Sequence, residues 1–126
     1  KGAYTAPPDK AVPAKNDVDA NSGQLAHALL AAAKTNPALY PAIATHDEKM
    51  IAAAKQFAAS NEVPRSSFEF QMLHGIRREL QTALAVEGYN VRVYVPYGTE
   101  WYPYVMRRLA ERPANLWFFV SNWMRR

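Results

Sequence analysis

"NVRVYVPYG", residues Asn90 to Gly98, decides the fold. Val91, Val93 and Val95 alternate with Arg92 and Tyr94, a period of two that predicts a strand. Just before it, "RRELQTALAVEG" has helical spacing and closes on Gly88, the residue type that best tolerates the left-handed backbone past a helix end. Just after it, "EWYPYVMRRLAERP" (Glu100 to Pro113) reads as a short helix stopped by Pro113. Further out, "FEFQML" alternates aromatic and polar residues as a strand does. "HDEKMIAAAKQFAAS" is a helix with Thr45 or Asp47 as N-cap and acidic residues in its first turn, where the helix dipole favours them. "LYPAIAT" is a short apolar strand.

A helix begins at Asp17, capped by Asp17 or Asp19, and carries Leu25, Ala28, Leu29 and Ala32 at helical spacing until Asn36-Pro37. "TAPPDKAVPAK" ahead of it is loop, "KGAY" a strand stub, and "ANLWFFVSNWMRR" a last amphipathic piece. Strands and helices thus alternate strictly, the pattern of βα units on a parallel sheet, and the expected fold class is α/β.

At 126 residues the chain is at most one domain, and 49% apolar with 21% charged residues excludes a disordered composition. The absence of cysteine excludes disulfides, thiolate nucleophiles and cysteine metal sites. A net charge of +4, spread along the chain, gives little footing for nucleic acid. No apolar run reaches the roughly 18 residues of a membrane span. Opening on Lys1 as if cut from a strand, the chain is expected to be a fragment. P-loop, dinucleotide and G-x-S-x-G motifs are missing, as is a close carboxylate pair.

Parallel sheets place their chemistry at the carboxyl ends of the strands. That rule selects Lys1 to Tyr4, Thr45-His46, Gln71 to His74 and Tyr94 to Gly98, while the strand interiors read as mostly aliphatic. On a helical wheel Tyr104, Arg107, Arg108 and Glu111 share one stripe, opposite Val105, Met106, Leu109 and Ala110. A solvated face with an Arg–Glu pair worth about 0.2–0.5 kcal/mol is the plain explanation. Position near the strand ends, beside Tyr94, Tyr97, Trp101 and Tyr102, favours two guanidinium forks for a small carboxylate on an apolar body.

His46 and His74 end strands, but no third ligand at suitable spacing supports a metal. His46 either hydrogen-bonds a cofactor or caps a helix, and His27 lies on the surface. Gln71 needs partners for its amide, from a bound heterocycle or a neighbouring backbone. The tail packs two tryptophans and two phenylalanines beside a dibasic end, as a core-covering helix or, in a sharper reading, an interfacial one.

"KGAY", "ATHDEK", "FEFQMLHG", "VRVYVPYG" and "YVMRRLAER" occur in the order and spacing of the carboxyl-terminal half of proline dehydrogenase. The chain resembles that family from Lys1 to about Asn115, and the short "YGTEWYPY" segment likens it to the single-function bacterial enzymes. The resemblance implies the second half of a distorted (β/α)8 barrel that oxidises L-proline to 1-pyrroline-5-carboxylate with FAD and passes electrons to a membrane quinone. By position, it implies that Arg107 and Arg108 hold the proline carboxylate and that Tyr94, Tyr104 and Leu73 wall the ring, with Tyr4 close to the substrate as the catalytic candidate. Gly2, Lys15, Thr45, His46, Gln71 and Glu111 fall in or near the FAD site.

A cytoplasmic location, a peripheral membrane contact through the last helix and a homo-oligomer are further expectations, without nucleic acid or metal. A barrel takes about 250 residues, so this chain alone is expected neither to hold FAD tightly nor to turn over proline. Two rivals stay open: another (β/α)8 enzyme on a small carboxylate, such as an aldolase, and a non-catalytic binding or scaffold half-barrel.

Overall fold

The computed structural model describes residues 7, 14–104 and 106. Its elements are α1 (Lys15–Thr35), β1 (Ala42–Ala44), α2 (Glu48–Ser60), a 3-10 turn (Arg65–Ser67), β2 (Glu69–Leu73), α3 (Arg78–Val86) and β3 (Asn90–Tyr94), with residues 101–104 helical again. The strands form a parallel sheet in the order β1-β2-β3. Ile43 pairs with Phe70 and Phe70 with Val91, and at the carboxyl end Leu73 pairs with Tyr94. The expected α/β class with parallel strands is present. The expected strand stub at "KGAY", the later turns of the helix carrying Arg107 and Arg108, and the tail lie outside the described residues.

Side chains alternate between the two faces of a strand, so the sheet is two-sided. One face carries Ile43, Phe70, Met72 and Val91 into the core, which Leu30 of α1, Ile51, Ala54 and Ala58 of α2, and Leu84 of α3 complete. Phe68, Phe70 and Tyr89 meet there with ring centroids 5.5–5.9 Å apart. The other face carries Ala42, Ala44, Glu69, Gln71, Leu73, Asn90, Arg92 and Tyr94, so the strand interiors, expected to be mostly aliphatic, are apolar with an aromatic centre on one side and largely polar on the other.

Local chemistry accounts for the element ends. The Asp47 carboxylate accepts the Lys49 N–H at 3.0 Å and caps α2, as one of the two expected residues. Both α2 and α3 close with an amide reaching back five residues, Val63 N–H to Ala58 C=O at 2.8 Å and Tyr89 N–H to Leu84 C=O at 3.0 Å. The left-handed residue in these closures is Glu62 (φ 54°) for α2 and Gly88 (φ 85°) for α3.

Three local expectations are corrected. Helix α1 starts at Lys15 with Ala14 at the cap position, so Asp17 sits inside its first turn rather than capping it. "LYPAIAT" is strand only over Ala42–Ala44 because Pro41 has no N–H to give the ladder, although its C=O accepts from Glu69 N–H at 3.0 Å. His27 is half-buried rather than a free surface residue. Its ring stacks on Phe57 of α2 with centroids 4.3 Å apart, and its buried Nε2 has no hydrogen-bond partner among the described residues.

Candidate functional site

The carboxyl ends of the strands converge on Leu73. Its N–H donates to His46 Nε2 at 2.9 Å, a bond between residues 27 apart in the chain. This bond carries the pairing between β1 and β2 past the end of β1, and it requires the imidazole to bear its proton on Nδ1. The Leu73 C=O accepts from Gln81 Nε2 at 3.0 Å, and the same amide nitrogen reaches the Ile76 C=O at 2.8 Å. On the other side His74 N–H donates to the Tyr94 C=O at 2.9 Å. Leu73 is therefore tied to the segment leading into α2 and to α3, and it stands beside Tyr94 of β3 in the register.

Tyr94, opposite Leu73 in the register, turns its ring toward Tyr104, with centroids 5.7 Å apart and planes inclined by 46°. The carboxyl-end rule anticipated Leu73 beside Tyr94, and Tyr104 joins them through the Tyr94 ring. Thr45 is buried and its Oγ1 accepts the Asp47 N–H at 3.1 Å, which continues the cap of α2. Of the two readings for His46, the bond to Leu73 N–H replaces helix capping with strand-end support.

Among the described residues the Gln71 amide is paired with a side chain rather than a backbone group: its Nε2 donates to Glu69 Oε1 at 2.7 Å. Glu69 in turn receives Arg92 Nε at 2.6 Å and Arg92 Nη2 at 2.9 Å. The Arg92 guanidinium and then the Gln71 amide hold the Glu69 carboxyl below the usual glutamate value, against the opposing effect of burial. Lys15, in the first turn of α1, pairs with Asp19 at 2.6 Å. Tyr4, Gly2, Arg107, Arg108 and Glu111 lie outside the described residues.

Sequence reasoning passed over Glu69, Arg77, Gln81 and Arg92. Arg77 holds a left-handed backbone (φ 52°) in the loop after β2, with its guanidinium on the Glu48 carboxylate and 3.4 Å from the His46 C=O. Glu69 and Arg92 had left a trace in the text, as charged residues at alternate positions of two strands expected to be neighbours. Gln81 and Arg77 had left none.

At the opposite, amino end of the sheet Lys55 and Arg65 lie over the Tyr89 ring, and Lys55 pairs with Glu87. That end of a βα sheet serves stability rather than chemistry. Among the described residues no helix is long and apolar enough to cross a membrane, and no group of three His, Asp or Glu residues is placed to hold a metal ion.

Residues 5–120 match the proline dehydrogenase family. The chain is 47% identical over 125 residues to a proline dehydrogenase of Deinococcus radiodurans, covering 99% of this chain and 39% of that protein. It is 48% identical over 122 residues to proline dehydrogenase 1 of Bacillus subtilis, covering 97% of this chain and 39% of that one. The bifunctional protein PutA of Escherichia coli is 38% identical over 88 residues, 64% of this chain and 7% of the relative. Likeness is thus greater, and fuller, toward the relatives named as proline dehydrogenase alone. The chain spans about two fifths of the length of those curated relatives. By this match over nearly its whole length, the chain belongs to the proline dehydrogenase family.

Proposed function

We propose that these residues form the substrate-facing carboxyl-terminal half of a (β/α)8 barrel that oxidises L-proline to 1-pyrroline-5-carboxylate. The observation that carries this reading is the juxtaposition of Leu73, Tyr94 and Tyr104 at the carboxyl ends of neighbouring parallel strands. One aliphatic and two aromatic side chains make a wall for a small saturated ring. Tyr104 begins the stripe on which Arg107 and Arg108 follow, and two guanidinium forks there would take the proline carboxylate as paired charge-assisted hydrogen bonds. Arginine stays protonated, so its part is to bind and orient. Tyr4 would lie close to the substrate.

The open sheet face suits a flavin. Gln71 Oε1 carries no hydrogen bond among the described residues, Arg92 keeps a half-open guanidinium, and His46 stands at the strand end. Gly2, Lys15, Thr45, His46, Gln71 and Glu111 would hold FAD, which when bound takes up the hydride from the ring carbon next to nitrogen, with a membrane quinone as final acceptor. The three strands among the described residues cannot close a barrel around it, and a (β/α)8 barrel takes about 250 residues, so the 126 residues alone would be inactive.

The test is proline-dependent reduction of an artificial dye by the flavin-loaded, full natural chain that carries this segment. Arg107→Ala and Arg108→Ala should each weaken binding of a proline analogue by about 1.5–3 kcal/mol, roughly 10- to 150-fold. A loaded protein indifferent to proline, or variants that bind the analogue like wild type, would overturn the reading.

A further inference from the structure

On the open face of the sheet one carboxylate, Glu69, is only 5% exposed. A buried charge on a strand is costly unless it is paired and fully hydrogen-bonded. Glu69 meets that requirement with three donors. Oε1 accepts from Gln71 Nε2 at 2.7 Å and Arg92 Nε at 2.6 Å, and Oε2 accepts from Arg92 Nη2 at 2.9 Å. Arg92 is the register partner of Gln71, so the three side chains lie side by side across β2 and β3.

The consequence falls on Gln71. A carboxamide presents a donor at one end and an acceptor at the other, and without a neighbour to choose between them it can turn over. An ionised carboxylate only accepts, so Glu69 admits the nitrogen end of Gln71 and repels the oxygen end. Oε1 is left facing away from Glu69, and it takes no hydrogen bond among the described residues.

We propose that Glu69 is a positioning residue that locks the Gln71 carboxamide in one orientation, so that the open sheet face offers an acceptor oxygen to an N–H on the polar edge of a bound heterocycle. The identity of the heterocycle as a flavin, whose ring carries an imide N–H, rests on the reading above. The lock itself rests on the contacts of Glu69. The residue acts through Gln71 and need not touch the ligand.

Two measurements on the full natural chain test this. The first is a double-mutant cycle read as flavin affinity. Glu69→Gln should weaken binding about tenfold beside Gln71, because its amide accepts either end of its neighbour. In a Gln71→Leu background the same change should matter less than about twofold. Equal losses in both backgrounds would make Glu69 merely structural and overturn the proposal. The second needs no ligand and no variant that might fail to fold. In 15N-labelled wild-type protein the Gln71 side-chain amide should show one exchange-protected, downfield proton whose shift follows the titration of a carboxylate. A freely exchanging Gln71 amide would sink the lock even in a protein that binds flavin. A locked amide in a protein that takes up no flavin leaves the positioning role standing and removes only the flavin.

Discussion

Replacing Gln81 by leucine tests how the strand end is held. Gln81 lies on α3, half-buried, and spends its amide nitrogen on the carbonyls of Leu73 (3.0 Å) and Ile76 (2.8 Å). Both bonds are neutral, and bonds of this kind contribute about 0.5–1.5 kcal/mol each after exchange with water, so the pair contributes about 1–3 kcal/mol. Leucine keeps most of the volume and both carbonyls remain within reach of water, which places the expected loss in the lower half, about 1–2 kcal/mol. The assay is denaturant unfolding of the full natural chain, read as a lower midpoint at unchanged slope. Gln81→Glu sharpens it. A carboxylate sets two acceptors against two acceptors, so this variant should be no more stable than Gln81→Leu. On the proposed reading the same loosening should also raise the KM for proline, since Leu73 loses one of the two donors to its carbonyl. If Gln81→Leu unfolds within about 0.5 kcal/mol of wild type, or Gln81→Glu matches wild type, the amide does not hold the loop and the reasoning fails.

Other perturbations follow from the same contacts. Phe70→Ala removes a fully buried ring that meets Phe68 and Tyr89 edge-on, and should destabilise by about 3–5 kcal/mol in the same unfolding assay. Gly88→Ala forces a Cβ into a φ of 85° with no steric clash beyond ordinary contact, so its cost should be the left-handed strain alone, about 1–2 kcal/mol. Glu69 has a folded-state pKa below its ordinary value of 4.5, so its contribution is present above that value and lost as pH falls through the lowered one. The stability gap between wild type and Glu69→Gln should therefore be full at neutral pH and shrink below pH 4.5, and a gap that grows on acidification would contradict the sign.

The strands and helices were legible because their signals are local. Alternation in "NVRVY", a carboxylate at Asp47 ahead of α2 and a glycine at 88 each act within a few residues. The strand-end rule placed Leu73 beside Tyr94, since parallel strands bring their carboxyl ends together whatever lies between, and Tyr104 meets the Tyr94 ring from the following helix. What stayed hidden depends on partners distant in the chain. His27 among alanines looked like surface until Phe57 of α2 came to stack on it. Gln71 could be assigned a need for partners but not the partner, because Glu69 two residues earlier becomes a fixed, ionised acceptor only when Arg92 arrives from the next strand. Glu62 gave no glycine signal for its left-handed turn, although α2 ends with the same closure as α3.

These long-range contacts also say where the site can be disturbed. A residue inside a strand is normally placed by its own ladder, but Leu73 is the last residue of β2: its N–H donates to the His46 side chain, and its C=O accepts from the Gln81 side chain and, at 3.3 Å, from the Ile76 N–H. His46 comes from the segment leading into α2 and Gln81 from α3, while Arg77 ties the loop after β2 back to the same segment through Glu48 and the His46 carbonyl. A shift of the α2 lead-in or of α3 thus reaches Leu73 through one side-chain hydrogen bond from each. On the proposed reading, substrate fit should consequently respond to substitutions at His46, Arg77 and Gln81. Equal volume changes at Tyr89, on the amino end of the sheet, should alter stability and leave fit alone.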